Sequence, residues 1–222
     1  MGTLSVIYAA FGYLALLGAI LWGMLFVGGS GVPNSDSAGA AAPLESILAD
    51  LGLLLLLALL HRLLSRGMLR HFTRRALTSG LKHSTQAWAA AAVLAVVYVG
   101  WQPLPHTLWV APEPLSRTLS GLFYLGWSLI LIGAFVATHL DFFGVTGAAR
   151  GGVSVADGLR QPLFVGILIA VWATRTMTVG HLLLAAAITM YLMLDGIWVL
   201  LRRIATRESD RVVSLQGQRL AR

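Results

Sequence analysis

Leu159-Arg160-Gln161-Pro162-Leu163-Phe164-Val165-Gly166 opens the stretch that decides the fold. From Gly166 an apolar run continues to Trp172 and breaks at Ala173-Thr174-Arg175-Thr176-Met177-Thr178. It then resumes and ends at Arg202-Arg203, carrying His181 and Asp195 on the way. Two apolar runs with so short a break between them predict a tight helical hairpin in a membrane, with a polar entrance at its base.

The rest of the chain fits that setting. Of its 222 residues 57% are hydrophobic and only 11% are charged. A soluble domain carries about a quarter charged residues. The apolar residues come in continuous blocks without alternation, which excludes a β-barrel. The expected fold is all-α, a transmembrane bundle of about six spans: 5–27, 44–64, 85–101, 118–138, 162–174 and 179–201. At about 1.5 Å per residue the fifth covers only about 20 Å of a hydrocarbon core of about 30 Å. Nothing marks a second domain, so 1–222 is expected to be one membrane domain with a cytoplasmic tail at 202–222. Glu45 and Asp50 lie in the first turns of the second span. The buried part of that span is therefore expected to begin at Leu51.

Charge gives the orientation. The net charge is +7, and segments 62–84, 139–161 and 202–222 hold 6, 2 and 6 Lys/Arg. The opposite loops hold only Arg117 and Arg175. By the positive-inside rule both termini are cytoplasmic, as in a protein of a bacterial inner membrane. In segment 62–84, Leu64, Met68, Leu69 and Phe72 recur at helical spacing among arginines, which predicts an amphipathic helix at the interface. No nucleic-acid-binding motif accompanies the charge, so no nucleic-acid partner is expected. Met1 to Trp22 has no Lys or Arg and reads as a retained span. There are no cysteines, which excludes disulfides, thiolate metal sites and thiol nucleophiles.

Ionisable groups in hydrocarbon need a partner or a purpose. His61, His139, Asp141 and Arg160 fall at the cytoplasmic ends of spans, and Asp195 about two turns inside one. They can converge on one cytoplasm-facing pocket, or each can be solvated singly by headgroups and water. His181 falls near the opposite face, where bridging the hairpin turn is the expected role. His61 and His139 share a depth, but no spacing supports a haem site. There is no phosphate-binding glycine loop, no zinc signature and no Ser-His-Asp order. No metal site is expected.

Longer blocks carry a resemblance. They are Phe26-Val27-Gly28, Leu57-Ala58-Leu59-Leu60-His61, Trp101-Gln102-Pro103-Leu104-Pro105, Leu125-Gly126-Trp127 and His139-Leu140-Asp141-Phe142-Phe143-Gly144. The strongest are Pro162-Leu163-Phe164-Val165-Gly166 and Thr176-Met177-Thr178-Val179-Gly180-His181-Leu182-Leu183. Through them the chain resembles the methanethiol S-methyltransferase and NnrU-type proteins, which are similar to isoprenylcysteine carboxyl methyltransferase. The resemblance covers nearly the whole chain. It implies a helical membrane enzyme that binds S-adenosylmethionine on the cytoplasmic side and methylates a small lipophilic thiol. It also implies that Arg160, Gln161, Pro162, Phe164, Gly166 and Glu208 hold the cofactor, with His61, His139 and Asp141 near the acceptor.

The cofactor motif of that family looks like Arg-His-Pro-x-Tyr-x-Gly. Here Gln161 stands for the His and Phe164 for the Tyr, which removes a titratable ring and a hydroxyl. The family's acidic pair on the last span falls on Leu200 and Leu201, or, with two more helical turns, near Glu208. Two readings follow. One is a non-catalytic accessory subunit on a methyltransferase-like scaffold. Its exposed faces, with Trp22, Trp88, Trp127 and Trp198, would meet lipids, other membrane subunits or a pigment–protein complex. The other is an active S-adenosylmethionine-dependent methyltransferase.

Overall fold

The computed structural model describes residues 3–29, 43–65, 79–142 and 155–220. Among them are six helices: α1 (Thr3–Gly28), α2 (Pro43–Ser65), α3 (Ser79–Gly100), α4 (Glu113–Phe142), α5 (Val155–Trp172) and α6 (Val179–Leu220). The all-α class is therefore as expected. Four stretches are long and apolar enough to cross a membrane: Thr3–Gly28, Leu44–Leu63, Glu113–Phe135 and Val179–Val199. The apolar parts of α3 and α5, Ser84–Gly100 and Pro162–Trp172, are shorter. The interfacial helix expected from 62–84 falls mostly on residues 66–78, outside the described residues.

The chain divides into two compact units, Met1–Ala185 and Ala186–Arg222. The second consists of the rest of α6, whose helix continues through the basic tail to Leu220.

In the first unit, neighbouring contacts fix the helix directions. Tyr8 meets Trp88 with ring centroids 6.4 Å apart, and Phe26 meets Trp101 at 5.8 Å. The numbering rises together along both helices, so α1 and α3 run parallel. A Cβ on Gly100 would lie 3.2 Å from Leu53, and the Gln102 amide reaches Asp50, so α2 runs antiparallel to α3.

The α4–α5 pair is also antiparallel, and its backbones nearly touch. A Cβ on Gly126 would sit 2.7 Å from the Ala170 nitrogen and 2.8 Å from the Gly166 oxygen. A Cβ on Gly166 would meet the Leu129 Cβ at 2.9 Å. Small residues let helix backbones approach where no solvent-driven force separates polar from apolar faces.

Two helices continue beyond the spans expected from the sequence. Residues 139–142 extend α4, and α5 begins at Val155 rather than Pro162. Pro162 thus lies inside α5, where its missing N–H leaves the carbonyl of residue 158 without the usual helical bond.

One end of the unit is closed by two short strands, β1 (Thr107–Val110) and β2 (Thr176–Thr178), paired antiparallel. Further backbone bonds extend the pairing: Ala111 N to Arg175 O at 2.9 Å and Val179 N to His106 O at 2.9 Å. The core gathers at this strand end. Phe26, Trp101, Ala170, Val171, Met177 and Leu184 are all buried there. It includes Trp127, at 8% exposure, which corrects its assignment to an exposed face; Trp22, Trp88 and Trp198 are exposed as expected.

Candidate functional site

Two ends of the first unit carry polar groups, and they differ in kind. At the strand end the groups are buried and tied to backbone. His181 is 1% exposed, and its Nε2 lies 2.8 Å from the Val171 carbonyl. Its amide donates to the Thr178 hydroxyl at 3.1 Å, so Thr178 caps the start of α6. His181 thus joins the last turn of α5 to the first turn of α6, the bridging role expected of it.

Asp50 at the same end is fully buried, and its Oδ1 accepts the Gln102 amide at 2.7 Å. This corrects the expectation that burial in α2 begins at Leu51. Ser46 and Asp50 are buried, while Leu51 is 38% exposed. Ser46 and Asp50 face inward, with Asp50 bonded to the chain just past α3, whereas Glu45 is exposed. No signal in the sequence pairs Asp50 with Gln102.

The opposite end gathers most of the residues expected to carry chemistry. His61, exposed, lies in the last turns of α2, which run away from the strand end. His139 and Asp141 lie in the last turns of α4. Gly126 sits against Gly166 and Ala170, and a Cβ on Gly133 would lie 3.4 Å from Leu163. Continued along the pair, this register brings the end of α4 beside the first turns of α5. Arg160 and Gln161 follow within the next turns, then Pro162 and Phe164. By the helix directions, His61, His139, Asp141, Arg160 and Gln161 lie toward this end, whereas Pro162 and Phe164 lie midway along α5, level with Gly133. The side chains of His139, Asp141, Arg160, Gln161 and Glu208 lie outside the described residues. Glu208, like Asp195, belongs to the second unit.

Gly166 has a definite place. It is buried in the α4–α5 contact, where any side chain would strike Leu129 or the Gly126 oxygen. Its smallness serves the helix pair, so any influence on a cofactor passes through the position of α5. Among the described residues no group of three or more His, Asp or Glu could hold a metal ion.

Fold and apolar helices define a multi-pass α-helical membrane protein. Comparison with known proteins adds the family. The chain is 34% identical over 183 residues to a methanethiol S-methyltransferase of Pseudomonas deceptionensis, covering 76% of this chain and 70% of that one. It is 31% identical over 204 residues to a methanethiol S-methyltransferase of Mycobacterium tuberculosis, covering 86% and 84%. A methanethiol S-methyltransferase 2 of Bradyrhizobium diazoefficiens is 31% identical over 201 residues, covering 85% and 78%. The chain belongs to the methanethiol S-methyltransferase family. No family model matches it, and no solved structure does. Of the two readings drawn from the sequence, these relatives support the methyltransferase; none of them speaks for a non-catalytic accessory subunit.

Proposed function

We propose that the protein is an S-adenosylmethionine-dependent methyltransferase of the bacterial inner membrane, acting on a small lipophilic thiol. All six helices traverse the bilayer, both termini are cytoplasmic, and the reaction takes place at the end of the bundle remote from the strands. The observation that carries this reading is the shared register of α4 and α5. It supports one site built from the end of α4 and the motif on the first half of α5.

The donor set suits the cofactor's amino acid end. The Arg160 guanidinium matches a carboxylate. The residue 158 carbonyl, released by Pro162, can accept from an ammonium. Gln161 offers both a donor and an acceptor, and Phe164 an apolar wall. S-adenosylmethionine, when bound, supplies an electrophilic methyl group on a sulfonium. The chain must then generate a thiolate and keep water away. The thiol proton passes to the imidazole of His139. His61 borders the acceptor from α2. The sulfur forms its bond to the methyl carbon as the carbon–sulfonium bond breaks, giving a neutral thioether. An apolar surround favours this step because charge is consumed in it.

The test is binding of radiolabelled S-adenosylmethionine to purified full-length protein, followed by methyl transfer to methanethiol. The expected result is saturable binding that Arg160→Ala weakens about a hundredfold or more, as loss of a buried charged partner does. Absence of binding by the unaltered protein, with co-purification of other membrane subunits at fixed stoichiometry, would overturn the reading in favour of an accessory role.

A further inference from the structure

The groups assigned to the reaction are divided between two helices. Arg160, the residue 158 carbonyl and Phe164 belong to α5, and all of them serve the cofactor. His139, the base, belongs to α4. The distance between methyl donor and base is therefore a distance between helices, and the packing of α4 on α5 decides it.

That packing has a definite register. Gly126 faces Gly166 and Ala170, and Gly133 faces Leu163, so each step along α4 is matched by a step back along α5. By this register His139 comes level with Ala156, in the first turn of α5. Arg160 follows one turn later, roughly 6 Å at 1.5 Å per residue. Base and cofactor motif are thus adjacent in depth, and only the lateral spacing of the helices is left to bring them within reach.

The lateral spacing is set where the backbones meet. A Cβ on Gly126 would lie 2.7 Å from the Ala170 nitrogen and 2.8 Å from the Gly166 oxygen. Both are backbone atoms, so the added carbon is accommodated only if the helices part. They cannot part evenly, because backbone pairing holds the chain ahead of α4 to the chain beyond α5, with Ala111 N bonded to Arg175 O at 2.9 Å. Gly126 lies between that clasp and His139, roughly 20 Å before the latter along α4. A wedge at Gly126 consequently opens the His139 end more than it opens the pair at the wedge itself.

We propose that Gly126 is a positioning residue: by letting the two backbones touch, it fixes the distance between the methyl donor held on α5 and the base carried by α4. This rests on the methyltransferase reading. Cofactor binding draws on α5 and is indifferent to Gly126, whereas methyl transfer draws on both helices. A displacement of about 1 Å at a reacting centre can cost about a hundredfold in rate.

The test separates binding from transfer. Purified full-length protein in detergent is titrated with radiolabelled S-adenosylmethionine, and methyl transfer to methanethiol is measured as turnover per bound cofactor. Gly126→Ala is expected to keep the Kd for S-adenosylmethionine and to lower turnover per bound cofactor about tenfold or more. A merely structural role would lower the amount of bound cofactor and leave turnover per bound cofactor unchanged. Gly166→Ala, whose Cβ would meet the Leu129 Cβ at 2.9 Å, parts the same helices and stands in if Gly126→Ala fails to fold. Gly133→Ala, with its nearest contact at 3.4 Å, is expected to turn over like the unaltered protein. Unchanged turnover per bound cofactor in Gly126→Ala and Gly166→Ala, or an equal loss in Gly133→Ala, would overturn the role of Gly126 and leave the methyltransferase reading standing. Failure of the unaltered protein to bind the cofactor would overturn both.

Discussion

Asp50 illustrates how an ionisable residue is accommodated in an apolar helix. Its carboxylate is fully buried and accepts one short hydrogen bond, from the Gln102 amide, while Oδ2 has no partner among the described residues. The amide it satisfies follows the end of α3, where helical carbonyls no longer lie behind it. Asp50→Ala would leave that N–H unpaired, at a cost of about 1–3 kcal/mol. Asp50→Asn keeps an oxygen in place and is expected to recover most of the loss. Thermal melting in detergent separates the two variants. Equal melting of Asp50→Ala and the unaltered chain would show that the bond contributes nothing. In the sequence Asp50 resembles an interfacial residue because its partner is 52 positions away. His181 was easier to read, since Thr178 and Val171 are both close in the chain and the hairpin turn brings them together.

At the scale of elements, the glycines of α4 and α5 decide how the pair packs. Added carbon at Gly126 or Gly166 meets backbone or a Cβ at 2.7–2.9 Å, neither of which can swing away. At Gly133 the nearest atom is a leucine Cδ1 at 3.4 Å, an ordinary contact. Gly126→Ala and Gly166→Ala are therefore expected to destabilise by about 1–3 kcal/mol, as overpacking does, and Gly133→Ala to be neutral or slightly stabilising. Chemical denaturation of the three variants checks the order. If Gly126→Ala were as stable as Gly133→Ala, the close approach of the backbones would be wrong. The hairpin and the apolar runs were legible because block hydrophobicity is a strong local signal. The strands β1 and β2 were not, because four and three residues are too short for a pattern and their pairing joins distant loops. The helix ends at 139–142 and 155–161 were also missed. Loop composition and Pro162 both suggested a break there, yet both helices continue through these residues.

For the whole molecule, the directions of the helices and the distribution of charge agree. α2 and α4 run away from the strand end and α5 returns to it, so the chain leaves α2 and α4 into segments 62–84 and 139–161 at the same end. Those segments carry six and two Lys/Arg, whereas the strand end carries Arg117 and Arg175. Arg117 is paired there with Glu113 at 3.2 Å, in a fully exposed i,i+4 pair that adds little stability. The proposed orientation, with the basic end in the cytoplasm, follows the positive-inside rule. The chain has no cysteine, so single introduced cysteines report sidedness without background. Glu113→Cys and Arg175→Cys, both exposed at the strand end, are expected to react in intact cells with a thiol reagent that cannot cross the inner membrane. Lys82→Cys and Ser209→Cys are expected to react only after the membrane is opened. Labelling of Lys82→Cys in intact cells would invert the orientation and move the candidate methyltransferase site to the far side, away from its cytoplasmic cofactor. Labelling of Ser209→Cys alone would instead mean that α6 does not cross, leaving five spans rather than six.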